Sequence, residues 1–148
     1  MEEIAMDHYR SFILMFTNLQ ELVVSCDSYR AFEDLDKLQY VIFPQLRILK
    51  FPYGSPKAEV LFKFLEINGR NLRESLFAHC DNSLSLAIAK FCPNLKSIFT
   101  LFNEDEIEAL KVILTSCQQL ESIKTWCEGG FLNGSELLKV LIRYSLMN

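Results

Sequence analysis

The chain has 148 residues, half of them hydrophobic and 23% charged, with four prolines and five glycines, which supplies one core of ordinary size and excludes a mainly disordered or collagen-like chain. Net charge is −4 and the pI about 5.2, so no overall basic field recruits nucleic acid. No stretch approaches the ~18 apolar residues of a membrane span, and the acidic start Met1-Glu2-Glu3-Ile4 is unlike a secretory signal, so a soluble protein of the cytoplasm or nucleus is expected.

Residues 1–16 are expected as an N-terminal helix, chiefly over 3–16. Leu22-Val23-Val24 is short and apolar and predicts a strand. Over 25–42, Phe32, Leu35 and Leu38 have helical spacing, while Tyr40–Phe43 also fits an extended segment. Ile48–Phe51 predicts the second strand. Ser55-Pro56 predicts a helix start, a hydroxyl cap followed by proline where its missing N–H costs nothing, and Val60, Leu61, Phe64 and Leu65 follow at helical spacing. Leu76-Phe77 predicts a third strand, and 82–91 a shorter helix with Leu84, Ile88 and Phe91. After a fourth strand at Ile98–Thr100, Asn103 with Glu106 makes a variant capping box ahead of Ile107, Leu110, Ile113 and Leu114. The fifth strand is Ile123–Thr125, and Asn133 with Glu136 opens a last helix through Leu137, Val140 and Leu141.

Five segments superimpose: Phe16–Leu22, Phe43–Leu49, Gly69–Ser75, Cys92–Ile98 and Cys117–Ile123. Their anchor leucines are Leu19, Leu46, Leu72, Leu95 and Leu120, separated by 27, 26, 23 and 25 residues. That spacing falls in the roughly 20–29-residue range of leucine-rich repeats. An amide precedes each anchor (Asn18, Gln45, Asn71, Asn94, Gln119), and an aliphatic residue follows three later, except in the third repeat, which reads as slipped by one onto Leu76. A strand–helix unit of this size buries its apolar face only by stacking on neighbours. The expected fold is therefore α/β: a leucine-rich-repeat solenoid of about five repeats, parallel strands on the concave face and helices on the convex face. Strands are expected to begin near residues 21, 48, 75, 97 and 122, with Leu46, Leu49, Leu95, Ile98, Leu120 and Ile123 buried. Arg143–Asn148 reads as an incomplete sixth repeat from about residue 143, and with no N-terminal cap visible the 1–148 unit reads as a fragment.

Cys92-Pro-Asn-Leu-Lys-Ser-Ile98 and Cys117-Gln-Gln-Leu-Glu-Ser-Ile123 resemble the signature of cysteine-containing leucine-rich repeats, and their wording is similar to an expanded group of fungal F-box-like proteins. The resemblance implies the substrate-recognition repeats of an F-box adaptor of an SCF-type ubiquitin ligase. It implies a protein substrate on the concave face, and a Skp1-type adaptor only where an F-box is present elsewhere in the full-length product. F-box features such as Leu-Pro are not found ahead of the first repeat.

No chemistry competes with that reading. The cysteines (26, 80, 92, 117, 127) contain no Cys-x-x-Cys pair and keep repeat register, so they read as small buried apolar residues and not as zinc ligands. His8 and His79 are isolated, there is no phosphate-binding glycine loop, and Glu104-Asp-Glu106 suits a helix start. No catalytic residue, metal or cofactor is expected. The amide column is expected to satisfy backbone groups where the chain turns into each strand.

Strand alternation places the residues two, four and six after each anchor on the concave side. The sets are Glu21, Val23 and Ser25; Ile48, Lys50 and Pro52; Ser75, Phe77 and His79 (allowing for the slip); Ser97, Phe99 and Leu101; Ser122, Lys124 and Trp126. Val23, Lys50, Phe77, His79, Phe99, Lys124 and Trp126 are the candidate partner-binding residues, since aromatic and long basic side chains suit protein recognition. The expected function is a protein–protein interaction module without catalysis of its own. The alternatives are a stand-alone repeat scaffold or inhibitor unrelated to ubiquitin and, more remotely, an enzyme with a dispersed site.

Overall fold

The structure, a computed structural model, describes residues 16–25, 34–78, 81–102, 106–125 and 134–145. The expected helix over 1–16, save Phe16, lies outside these, as do Phe32, His79, Trp126, Asn103, Asn133 and the cysteines at 26, 80 and 127.

Each anchor leucine is held by the same local bond. The N–H of Leu19, Leu46, Leu72, Leu95 and Leu120 donates to the carbonyl three residues earlier, at Phe16, Phe43, Gly69, Cys92 and Cys117, at 3.0–3.2 Å. This turn delivers the chain into a short strand: β1 (Glu21–Val23), β2 (Ile48–Phe51), β3 (Glu74–Phe77), β4 (Ser97–Thr100) and β5 (Ser122–Lys124). All four pairings are parallel, and strand order follows chain order. The carbonyl just before each of β1 to β4 ties the next repeat with two bonds. Gln20 accepts from Arg47 and Ile48, Arg47 from Arg73 and Glu74, Arg73 from Lys96 and Ser97, and Lys96 from Glu121 and Ser122, all at 2.7–3.0 Å.

Between the strands lie a 3₁₀ segment (Asp34–Tyr40) and three helices, α1 (Ala58–Asn68), α2 (Asn82–Phe91) and α3 (Ile107–Ser116), and a fourth helix, α4 (Gly134–Ser145), follows β5. Consecutive helices pack on one another, and the 3₁₀ segment packs on α1. Each helix turns one stripe to the core: Val60, Leu61, Phe64 and Leu65 on α1; Leu84, Ala87 and Ile88 on α2; Ala109, Leu110 and Ile113 on α3; Val140 on α4. Helix α1 begins two residues later than Ser55-Pro56 predicts, because Pro56 is buried and Lys57 stays extended (φ −53°, ψ 142°) with no side-chain cap. Helix α2 carries a cap not anticipated from sequence: an Asp81 side-chain oxygen accepts from the Leu84 N–H at 2.8 Å. The chain remains helical through Ser145, so residues 143–145 belong to α4; residues 146–148, the rest of the expected sixth repeat, lie outside the described residues.

One apolar core runs from Leu38 to Val140. Leu46, Leu49, Leu72, Leu95 and Ile98 are fully buried. Leu120 and Ile123, expected to match them, are only half-buried, because among the described residues β5 has a strand neighbour on one side alone. The position three before the anchor is tight as well. A Cβ on Gly69 would lie 2.8 Å from the Phe91 carbonyl oxygen and 3.0 Å from Cys92 Sγ, so the third repeat can take only glycine there without backbone movement. Next to it, buried Asn68 closes α1 against the second repeat, accepting from the Phe43 N–H (2.7 Å) and donating to the Val41 and Phe64 carbonyls (2.9 and 3.2 Å).

The third repeat does not slip. Glu74 pairs with both Ile48 and Ser97, which puts Ser75 at the buried position where Leu49 and Ile98 stand, and Phe77 where Phe51 and Thr100 stand. Phe77 is therefore a core residue, 0% exposed, with its ring stacked on Phe51 at 6.0 Å, and its assignment to the open face is corrected. The ladder explains why. A one-residue shift would forfeit the bonds on both sides of β3 to bury one more aliphatic side chain, whereas the observed register leaves one serine hydroxyl, Ser75 Oγ, buried without a partner.

Two stability outcomes follow from this packing. Leu95→Ala should lower stability by ~2–5 kcal/mol, the usual loss at a closed core site, while Leu120→Ala costs distinctly less; urea denaturation compares them. Ser75→Ala removes the orphaned hydroxyl and should raise the urea midpoint, by about 1 kcal/mol in stability.

A candidate interaction face on the open side of the sheet

The strand residues that alternate with the core leave one sheet face away from the helices. Strand register aligns them in two rows. Two residues after the anchors run Glu21, Ile48, Glu74, Ser97 and Ser122; four after them run Val23, Lys50, Leu76, Phe99 and Lys124. Neighbours in a row stand about 4.8 Å apart, the strand spacing. Val23 is 50% exposed, Lys124 is exposed, and Ile48, Leu76 and Phe99 are half-buried.

Four of the expected residues, Val23, Lys50, Phe99 and Lys124, thus fall in one row across β1, β2, β4 and β5. Phe77 leaves the face for the core, and Leu76 takes its place between Lys50 and Phe99. His79 and Trp126 lie outside the described residues. Leu76 was legible in principle: counting four residues from Leu72, as in every other repeat, reaches it. The appeal of an aliphatic residue at the core position hides it.

Lys50 is not a free cation. Its Nζ lies 3.1 Å from Glu21 Oε1 and 3.2 Å from Glu74 Oε1, because the neighbouring strands place a carboxylate two residues earlier on either side. Hydrogen bonds to Glu21 and then Glu74 raise the Lys50 pKa above 10.5. The β1–β3 part of the face is thereby an ion-paired triad, with the apolar Leu76 and Phe99 and the cationic Lys124 beyond it.

At the entry to the strands the amide column acts on the backbone. Asn71 Nδ2 donates to the Pro44 carbonyl and Asn94 Nδ2 to the Arg70 carbonyl, both at 3.0 Å. Gln119 instead meets side chains, accepting from Arg73 (3.1 Å) and donating to Asn94 Oδ1 (3.4 Å).

The thiols are structural. Cys92 and Cys117 are free and buried, and Cys117 Sγ donates to the Cys92 carbonyl at 3.3 Å. Burial raises both pKa values, that of Cys117 to about 11, so neither is a thiolate nucleophile near neutrality. Among the described residues no group of three His, Cys, Asp or Glu side chains could hold a metal ion, and no helix is long and apolar enough to cross a membrane. Two open depressions lie away from the sheet face: ≈ 480 Å³ beside Asp36, Lys57 and Phe62, and ≈ 530 Å³ between α3 and α4, where Lys111 and Lys139 pair with Glu108 and Glu136.

The triad has a pH signature. A lysine pKa raised by folding contributes stability that is complete below 10.5 and is lost only as pH climbs through the raised value. NMR titration of the Lys50 side chain should show a midpoint above 10.5, returning toward it in Glu21→Gln/Glu74→Gln. An ordinary midpoint in the unmodified chain contradicts the pairing.

Comparison of the chain with protein-family models, curated proteins and solved structures gives no match.

Proposed function

We propose that the chain is a protein-recognition module of the leucine-rich-repeat type, its strand–helix units stacked as a solenoid, which holds a segment of another protein across the open sheet face. The observation that carries this reading is the row Val23, Lys50, Leu76, Phe99 and Lys124, which crosses all five strands in register. A flat row of apolar and long cationic side chains, with the charges of one half internally paired, suits a protein surface better than a small metabolite, which favours an enclosed cavity. The module has no catalytic step. It resembles the substrate-holding repeats of an F-box adaptor, and a Skp1-type adaptor and a ligase join it only where an F-box is present elsewhere in the full-length product. Free, buried Cys92 and Cys117 fit the reducing cytoplasm or nucleus.

The test is affinity capture with the tagged full-length product, comparing the native chain with Leu76→Glu/Phe99→Glu. A specific partner should bind the native form and be lost from the variant, while circular dichroism of the two remains the same. The adaptor should appear in both eluates. A partner without adaptor supports a stand-alone scaffold, and a partner retained by the variant contradicts recognition through this face.

A further inference from the structure

The turns that lead into the strands form a second surface, and its charge is one-sided. Arg47, Arg73 and Lys96 each stand one residue after an anchor, immediately before three adjacent strands, and Arg70 lies in the turn before Leu72. All four are exposed. The turn and entry positions of the five repeats hold one carboxylate among the described residues, Glu121, which is engaged by Lys96 at 2.8 Å. Arg73 is aimed along this edge by two bonds from Nη1, to the Asn94 carbonyl (3.2 Å) and Gln119 Oε1 (3.1 Å). Its remaining guanidinium donors, and the guanidinium groups of Arg47 and Arg70, have no ion-pair partner among the described residues. In a chain of net charge −4, three arginines without an ion-pair partner are a local concentration of positive charge, since the nearby carboxylates of Glu21 and Glu74 are engaged by Lys50.

We propose that this edge recognises an acidic segment of the partner protein. The segment's Asp or Glu carboxylates bond the forks of Arg47, Arg70 and Arg73, while its apolar side chains lie on Leu76 and Phe99. The inference rests on the docking reading above and adds the partner's chemistry. Guanidinium groups pair with carboxylates through two parallel hydrogen bonds, which selects acidic side chains with defined geometry. Nucleic acid fits less well: the basic patch is short, and the rest of the chain repels a polyanion.

Selection from a random dodecapeptide phage library tests this on the intact chain. Enriched peptides should carry clustered Asp or Glu beside apolar residues. A synthetic version should bind about tenfold more weakly to Arg47→Glu/Arg70→Glu, which leaves the Arg73 bonds in place, and to Arg47→Glu/Arg73→Glu. Binding to the native chain should weaken as salt rises from about 50 to about 300 mM. Enriched peptides without acidic clusters, or unaffected by charge reversal, overturn the inference. If those peptides are nevertheless lost on Leu76→Glu/Phe99→Glu, docking on the face stands and only the charge argument fails. Tighter binding of a duplex or single-stranded oligonucleotide than of any acidic peptide also overturns it, and a library with no enriched peptide on the native chain removes both readings.

Discussion

The bond from each anchor leucine's N–H to the carbonyl three residues earlier sets the geometry of everything downstream. It occurs in all five repeats with residues as different as Phe16, Gly69 and Cys117 supplying the backbone carbonyl. Because the bond is between backbone groups, it survives changes of side chain and ends each helix-to-strand passage at the same point. The strand that follows then starts in register with its neighbour, and a carbonyl before it accepts two N–H groups from the next repeat. A parallel strand of three or four residues has few ladder bonds of its own, so this doubled tie matters to how firmly the repeats are joined.

Side chains serve that backbone arrangement differently in different repeats. In the second repeat Phe43 fills the space beneath the turn and packs on Phe64, with Asn68 bonding the Phe43 N–H. In the third, Phe91 and Cys92 come so close that only a hydrogen fits, at Gly69. In the fourth and fifth, Cys92 and Cys117 fill the site, linked by one Sγ-to-carbonyl contact. Cysteine suits the place because it is small and apolar, and burial keeps it protonated.

The anchor spacing made the strands legible because leucine, amide and aliphatic residue recur together; four of five strand starts fall at the expected residue, and β3 starts one earlier. Serine at position 75 concealed the third register. A pattern that asks for an aliphatic side chain there is drawn to Leu76, yet the backbone bonds on both edges of β3 decide the matter, and Phe77 against Phe51 recovers apolar contact. The same error moved Phe77 onto the face and hid Leu76. Helix starts were less legible, since Lys57 enters α1 without a side-chain cap while Asp81 caps α2. The pairing of Lys50 with Glu21 and Glu74 spans more than twenty residues on either side and becomes visible only once the strands are aligned. The arginine edge was hidden for the same reason, as Arg47, Arg70 and Arg73 belong to two repeats.

The proposed recognition rests on what this scaffold leaves uncovered among the described residues: a row of side chains on the sheet and a basic edge at its entry, both placed by the shared turn. Native-state hydrogen exchange reads that turn directly. The anchor amides of Leu46, Leu72 and Leu95, with the doubly tied amides of Glu74 and Ser97, should be among the slowest in the chain and should open together, while those of Leu19 and Leu120 exchange faster. Rapid exchange at Leu72, Glu74 and Leu95 while the amides of α1 and α2 remain protected would contradict the account, because helices would then hold the fold without the turns that align its strands.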